Sequence, residues 1–132
     1  MNLVVLVGRL TKDPELRYTP NGKAFARFTL AIDRMLGRER KAKAEAEGKA
    51  TADFINITAW NTTAEIIAQY GAKGNRIGVE GRIQVDSWND EQGKRIYRTG
   101  VVANRIEFLE SYGKNKSVPE GLSEFEEGEL PF

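Results

Sequence analysis

The sequence predicts an all-β protein: a five-stranded barrel with one short helix between the third and fourth strands, plus a flexible acidic C-terminal tail. A continuous apolar run near the start and four later segments with strand patterning predict the strands. One short amphipathic segment between them predicts the helix. The 132 residues suffice for one modest core. We expect a barrel domain over residues 1–110 and a short linker and tail over 111–132.

The first two strands differ in pattern. Residues 3–7, LVVLV, are continuously apolar and largely β-branched, which is typical of a strand covered on both faces. In so small a chain, the second covering layer is expected from another subunit. Pro20-Asn21-Gly22 then predicts a turn into a second strand, from Phe25 to about Leu36. One face of that strand carries Phe28, Leu30 and Ile32, and the other carries Arg27, Thr29 and Asp33.

Residues 37–50, GRERKAKAEAEGKA, contain many helix-forming residues but no apolar stripe. Nothing would hold a helix there against a core. We interpret the segment as a mobile, mostly basic loop between two strands, with an isolated solvated helix as the alternative.

The third strand and the helix follow directly. In residues 51–60 the residues Ile55, Ile57 and Ala59 alternate with Phe54, Asn56, Thr58 and Trp60. Asn61 is the expected N-cap of a short helix that ends at Gly71 or Gly74. Its expected buried contacts are Ile66, Ile67 and Tyr70.

The last two strands form a hairpin. Residues 75–88 place Ile77, Val79, Ile83 and Val85 on one face, opposite Arg76, Glu80, Arg82, Gln84, Asp86 and Trp88. Gly78 and Gly81 inside this strand indicate a bend or bulge. Residues 89–93 supply the loop, and the strand over residues 94–109 carries Val101, Val102, Ile106 and Phe108. Three strands, a helix and two strands are the layout of the OB-fold, a small barrel that often binds oligonucleotides.

The composition disfavours an enzyme. The chain has no cysteine and no histidine, which excludes thiol nucleophiles, disulfides and the commonest general base. Asp86 and Asp90 flank a turn without a third ligand, so we expect no metal and no cofactor. The N-terminal apolar run is too short for a membrane span and lacks the pattern of a signal peptide, which favours a cytoplasmic location.

Charge is distributed unevenly along the chain. Residues 1–116 hold all 20 Lys and Arg and 14 of the 19 Asp and Glu, so that this part has a net charge of +6. Residues 117–132 hold the other five acids, all glutamate. A basic body favours an anionic ligand such as nucleic acid, and an acidic end is typical of an interaction tail.

Three aromatic residues occupy polar faces. Phe54 and Trp60 share a face with Asn56 and Thr58, while Trp88 shares one with Arg82. A single exposed ring is as consistent with a subunit contact as with ligand binding. Three such rings on the polar faces of adjacent strands favour a platform on which nucleic-acid bases stack.

The candidate phosphate contacts are Arg34, Lys73, Arg76 and Arg82, with Arg38, Arg40, Lys41, Lys43 and Lys49 in the basic segment. Each one alone is more typical of a solvated surface charge, so the hypothesis depends on the set.

The run V-G-R-L-x-x-D-P-E-x-R-Y-x-x-N-G over residues 7–22, KGNRIGVEGRI over 73–83 and the final ELPF carry a family resemblance. The chain resembles bacterial and bacteriophage single-stranded DNA-binding proteins over about residues 1–110 and the last few residues. The resemblance implies an OB-fold subunit that assembles, usually as a homotetramer, and wraps single-stranded DNA. It aligns the stacking rings with Phe54, Trp60 and Trp88.

The resemblance also implies a role for the tail. In the family an acidic segment ending in Pro-Phe docks onto replication, recombination and repair enzymes. The matching residues here are Glu126, Glu127, Glu129, Leu130, Pro131 and Phe132. The linker over residues 111–123 is shorter than is common in the family, which favours a phage-encoded or secondary-copy protein.

Two departures from the family pattern predict weaker binding of DNA. A fourth aromatic residue expected near Met35 or Leu36 is missing, and Gln84, Asp86 and Ser87 stand where basic residues are frequent. Two other functions stay open. An RNA-binding OB domain would need no acidic Pro-Phe end. A structural adaptor would use the exposed rings as a protein interface.

Overall fold

The computed structural model describes residues 1–110. Within them the strands are β1 (Val4–Leu10), β2 (Glu15–Tyr18), β3 (Ala24–Asp33), β4 (Ala52–Trp60), β5 (Arg76–Asn89) and β6 (Arg95–Phe108), and the helices are α1 (Arg38–Ala46) and α2 (Asn61–Tyr70). Five of the strands form a ring in the order β1-β5-β6-β4-β3, which closes where Arg9 and Leu10 of β1 pair with Ala31 and Leu30 of β3. The predicted five-stranded OB-fold barrel is therefore confirmed, with α2 between its third and fourth ring strands.

Alternate residues of the ring strands fill the barrel. Ala26 and Leu30 of β3, Ile57 and Ala59 of β4, Ile77 and Val79 of β5, and Ile106 of β6 are buried together in one cluster. This is the period-2 pattern that the sequence predicted for β3 and β4. Because successive side chains of a strand point to opposite faces, the residues between these buried positions lie on the outside of the barrel.

Helix α2 covers part of this core. Ile66 and Ile67 are buried as predicted, and Tyr70 is half-buried with its ring edge-on to Phe108 at a centroid distance of 6.4 Å. The predicted end at Gly71 is confirmed, since its N–H donates to the Ile67 carbonyl at 2.9 Å. The predicted N-cap was wrong: Trp60 occupies that position without a side-chain hydrogen bond, and Asn61 is the first helical residue, with φ at +54°.

The interpretation of residues 37–50 as a mobile loop was wrong. Residues Arg38–Ala46 form helix α1, none of whose residues is buried. Its Ala, Lys, Arg and Glu side chains are strong helix formers, with Glu39 in the first turn and Lys43 in the last, where they complement the helix dipole. The solvated helix held open as the alternative is the observed structure, because local propensity sufficed without an apolar stripe.

Strand β2 was not predicted. Its four residues pair with the beginning of β3, with Arg17 opposite Phe25 and Tyr18 opposite Ala24. The predicted turn lies between these strands: Gly22 has φ at +84°, and its N–H donates to the Thr19 carbonyl at 2.8 Å. Because β2 has only four residues, its alternation was too short to separate from the turn region.

Strands β5 and β6 continue beyond the barrel as a two-stranded arm. From Gln84 to Gly100 they pair only with each other. Ile83 and Val85 lie on the predicted face, yet they are 48% and 55% exposed, whereas Ile77 and Val79 are buried. The apolar face of the arm extends past the end of the core. The alternation in the sequence therefore predicted the correct face of the strand but not the burial of these residues.

Gly81 marks the point at which the sheet bends, as predicted. The pairing of β5 with β6 shifts register between Glu80 and Gly81. A Cβ at Gly81 would overlap the Val102 carbonyl and lie 3.1 Å from the Cα of Ala103. The two strands approach so closely here that only glycine fits.

Strand β1 exposes two of its apolar residues. Val5 and Val7 face outward and are 68% and 43% exposed, and Leu3 just before the strand is also exposed. Val4 and Leu6 pack against the core. Nothing within residues 1–110 covers the outer face. None of the helices in this part of the chain is long and apolar enough to cross a membrane.

Replacing Gly81 with alanine is expected to lower the free energy of unfolding by about 1 to 3 kcal/mol, because backbone must move to admit the methyl group. Gly78 in the same strand is the matched control. A Cβ there would meet its nearest atoms at 3.9 Å, so Gly78→Ala should stay within about 0.5 kcal/mol of the wild type. Urea denaturation followed by circular dichroism measures both variants, and equal stabilities would contradict the close packing at Gly81.

Candidate nucleic-acid interface

The outer face of β3 and β4 carries two of the predicted rings. In the register of these strands Phe54 lies opposite Ala31, and Trp60 lies opposite Phe25. Phe54 is 66% exposed and Trp60 38% exposed, while Ile57 between them points into the core. The predicted parity is confirmed, because the buried residues of β4 leave its even-numbered residues on the outside.

Trp88 lies on the arm. It is 46% exposed and faces the same way as Arg82 on β5 and Arg98 on β6. We expected the strands that carry Trp60 and Trp88 to be neighbours. This was wrong, because strand β6 separates β5 from β4 in the sheet. The two faces are nevertheless continuous, since Thr58 of β4 pairs with Val102 of β6, which lies opposite Arg82.

Two grooves lie on this surface, one beside Phe25 and the other beside Trp60. The first, which we call the front groove, has a volume of about 560 Å³. Its lining includes Lys12, Arg17, Phe25, Arg27, Asn56, Thr58 and Arg98. The second, which we call the side groove, has a volume of about 360 Å³ and runs past Trp60, Asn61, Arg82 and Asn104. Exposed rings and basic grooves therefore share one face of the barrel.

The predicted cations Arg82 and Arg34 lie at different places on this face. Arg82 lines the side groove beside Trp60 and donates from Nη1 to Asn104 Oδ1 at 3.2 Å. Arg34 follows β3 at the Phe54 end and donates from Nη2 and Nε to Asp53 Oδ1 at 2.8 and 3.1 Å. The hydrogen bond to Asp53, with the attraction of its charge, raises the pKa of Arg34 above the ordinary value.

Lys73 and Arg76 lie away from the three rings. The Lys73 N–H donates to Asp13 Oδ1 at 2.7 Å, which places this residue beside one end of the front groove without lining it. Arg76 pairs with Arg9 of β1, and its N–H donates to Glu110 Oε1 at 3.0 Å. The backbone of Lys73 therefore lies near the front groove, whereas Arg76 lies on the wall formed by β1 and β5.

Helix α1 brings the remaining predicted cations to the Phe54 end. It connects the end of β3 to the start of β4, close in sequence to Arg34 and Phe54. Its exposed cations are Arg38, Arg40, Lys41 and Lys43. Lys49, beyond the helix, forms an ion pair with Glu47 at 3.0 Å.

Sequence reasoning missed several groove residues. Arg27 had been assigned to the polar face without a role, and Phe25 had been assigned to neither face. Arg17 belongs to the unpredicted β2, and Arg98 lies on the last strand, for which the sequence pattern identified only apolar members. The alternation of β3 was enough to find Phe25 and Arg27, whereas the placement of Arg17 and Arg98 depends on the pairing of β2 with β3 and of β6 with β4.

Two expectations concern other sites. Within residues 1–110 no three Asp, Glu, Cys or His side chains gather as metal ligands would. The tail residues Glu126, Glu127, Glu129, Leu130, Pro131 and Phe132 lie outside the described residues.

Comparison with known proteins gives a consistent result. A family model described as the single-strand binding protein family matches residues 1–109. A single-stranded DNA-binding protein of Halalkalibacterium halodurans is 45% identical over 125 residues, which cover 95% of this chain and 70% of the relative. One of Bacillus cereus is 45% identical over 139 residues, covering all of this chain and 78% of the relative. Single-stranded DNA-binding protein A of Bacillus subtilis is 45% identical over 124 residues, covering 94% and 68% respectively.

The exposure of the two tryptophans can be measured one at a time. In Trp88→Phe only Trp60 emits, and in Trp60→Phe only Trp88 emits. Because both indoles are more than a third exposed, iodide and acrylamide should quench each variant, with Trp88 at least as accessible as Trp60. A tryptophan that iodide cannot reach would instead indicate a ring covered by another subunit.

Proposed function

The chain belongs to the single-strand binding protein family, and we propose that it binds single-stranded DNA without sequence preference. Bases stack on Phe54, Trp60 and Trp88, while surrounding cations neutralise phosphates. The family is one of DNA-binding proteins rather than enzymes, in agreement with the expectation from composition.

One observation carries this proposal: three large rings lie exposed on a continuous outer face that is bordered by basic grooves. An exposed ring offers its π-face to any base, and each base that stacks contributes about 1 to 3 kcal/mol. Because stacking does not read the edges of bases, the surface supports binding without sequence preference. Both grooves are open and lined mainly by polar side chains, which favours an extended polymer over a small ligand.

The cations divide into three groups along the proposed path. Arg34, Arg38 and Lys43 lie at the Phe54 end, where α1 joins β3 to β4. Arg82 lies in the side groove beside Trp60. Lys73 and Arg76 would contact bound DNA that continues past the front groove toward the segment after α2. This path is longer than the one over the rings.

The subunit is proposed to assemble into a homotetramer. The support from the fold is the outer face of β1, where Leu3, Val5 and Val7 are exposed to solvent in the single chain. Three adjacent apolar side chains on one strand favour burial against a second copy. The number of subunits follows from the family resemblance alone.

The acidic tail is proposed to recruit enzymes of DNA replication, recombination and repair. Its support is the sequence: Glu126, Glu127 and Glu129 precede the apolar Leu130, Pro131 and Phe132. A short peptide of this kind suits an apolar pocket rimmed by basic residues. Residues 111–132 would then act as linker and docking segment, and the protein would work in the cytoplasm, where bacterial DNA lies.

Truncating Trp60 or Trp88 to alanine is expected to weaken binding of poly-dT by about 5- to 150-fold each, which corresponds to about 1 to 3 kcal/mol. Fluorescence anisotropy of a labelled oligonucleotide measures the affinity, and light scattering measures the assembly. Tyr97→Ala is the matched control, because Tyr97 is an exposed ring on the opposite face of the same arm. Loss of assembly without loss of affinity per subunit would favour the adaptor function instead.

Removing residues 124–132 is expected to leave poly-dT binding intact, with tryptophan quenching that saturates and weakens as salt rises. The stacking rings and the groove cations all lie within residues 1–110, and the acids of the tail contribute no attraction to phosphates. A titration of the full chain and the truncated chain at low and high salt measures this. An affinity that collapses on truncation would place the binding site in the tail.

A further inference from the structure

Phe25 lies beside Trp60 on the outer face but has no assigned role. The two rings are 5.5 Å apart between centroids, with an angle of 37° between their planes. Phe25 is half-buried, so one part of its ring packs into the fold and the rest adds to the exposed aromatic surface. The two rings thus form one continuous aromatic area at the edge of the front groove.

Arg27 stands next to Phe25 on the same strand face. Its guanidinium carbon lies 5.6 Å from the centroid of the Phe25 ring, within the range of a cation–π contact. Glu15 lies directly opposite Arg27 in the register of β2 and β3. That carboxylate nevertheless pairs with Arg17 at 2.9 Å, and in the described part of the chain Arg27 forms no ion pair.

The front groove adds further unneutralised charge next to these two residues. Lys12 and Arg98 line it and, among residues 1–110, form no ion pair either. Asp13 and Glu15 are its acidic residues, of which Asp13 accepts a hydrogen bond from the Lys73 backbone and Glu15 is paired with Arg17. The groove therefore keeps a positive balance along a floor of Thr29, Asn56 and Thr58.

We propose that Phe25 and Arg27 form a fourth nucleotide subsite, through which single-stranded DNA continues from Trp60 into the front groove. A base stacks on the ring of Phe25, and the guanidinium of Arg27 moves from that ring to a phosphate. Arg suits this exchange, because its planar cation is weakly hydrated and binds phosphate oxygens bidentately. The inference rests on the proposed function, since it extends the same DNA path.

Phe25→Leu tests the stacking. Leucine keeps an apolar side chain for the half-buried position but has no π-face, so affinity for poly-dT should fall by about fivefold or more. Phe25→Tyr, which restores the ring, should recover it. Tyr18→Leu is the matched control, because Tyr18 is an exposed ring on the opposite face of the neighbouring strand β2, and its affinity should equal that of the wild type.

Arg27→Gln tests the phosphate contact. A lost contact to single-stranded DNA should reduce the slope of log affinity against log salt by about 0.7. Arg95→Gln, on the face of the arm opposite Trp88 and Arg98, should leave the slope unchanged. Glu15→Gln removes a negative charge from the groove, so it should strengthen binding at low salt, an outcome that misfolding does not produce.

The outcomes separate the two proposals. If the wild type fails to bind poly-dT, the proposed function itself is wrong. If the wild type binds and Trp60→Ala weakens it, while Phe25→Leu, Arg27→Gln and Glu15→Gln match the wild type in affinity and salt slope, the fourth subsite is wrong. If Phe25→Leu does not fold, Arg27→Gln and Glu15→Gln still decide, because both retain the Phe25 ring and change only exposed side chains that line the groove.

Discussion

Closure of the barrel is the constraint on which the rest of the molecule depends. The ring closes through the pairing of Leu10 with Leu30 and of Arg9 with Ala31. Gly8 permits this approach, because a Cβ there would overlap the Ala31 carbonyl and lie 3.0 Å from the Leu30 side chain. Once the ring is closed, each strand has one inner and one outer set of side chains. The inner set is filled by Ala, Val, Leu and Ile together with Phe28, and the outer set of β4 includes Phe54 and Trp60.

The part of the site that the sequence predicted is the part that depends on alternation within one strand. The odd-numbered Ile57 and Ala59 fix the outward direction of Phe54 and Trp60 without knowledge of any partner strand. The errors came from features that depend on other strands. Ile83 and Val85 keep the right face but leave the core because the arm extends beyond the barrel, and no local pattern reports where a partner strand ends. The placement of β6 between β4 and β5 is likewise a property of the ring.

The cations on this outer face fall into two electrostatic classes. Arg34 already has a carboxylate partner in Asp53, whereas Arg27 rests on an aromatic ring. An exposed ion pair contributes little to stability, because solvent screens it and two side chains lose freedom in forming it. A phosphate can therefore replace Asp53 at a small cost in free energy. Before that exchange, the ion pair with Asp53 holds Arg34 at the edge of the face. Arg27 has no carboxylate to release, so a phosphate there adds a charge contact without breaking another.

Both ends of the face carry cations, but the Trp60 end has the larger aromatic surface. At the Phe54 end the resemblance places a further ring near Met35 or Leu36; here Met35 is exposed, and the cations of α1 stand nearby in the chain. At the other end Phe25 adjoins Trp60, so aromatic area is added where the family alignment assigns a single ring. Stacking is largely insensitive to salt, whereas phosphate contacts weaken as salt rises. A strand bound across this face would consequently loosen first at the α1 end as ionic strength increases, and the Trp60 end would hold it longest.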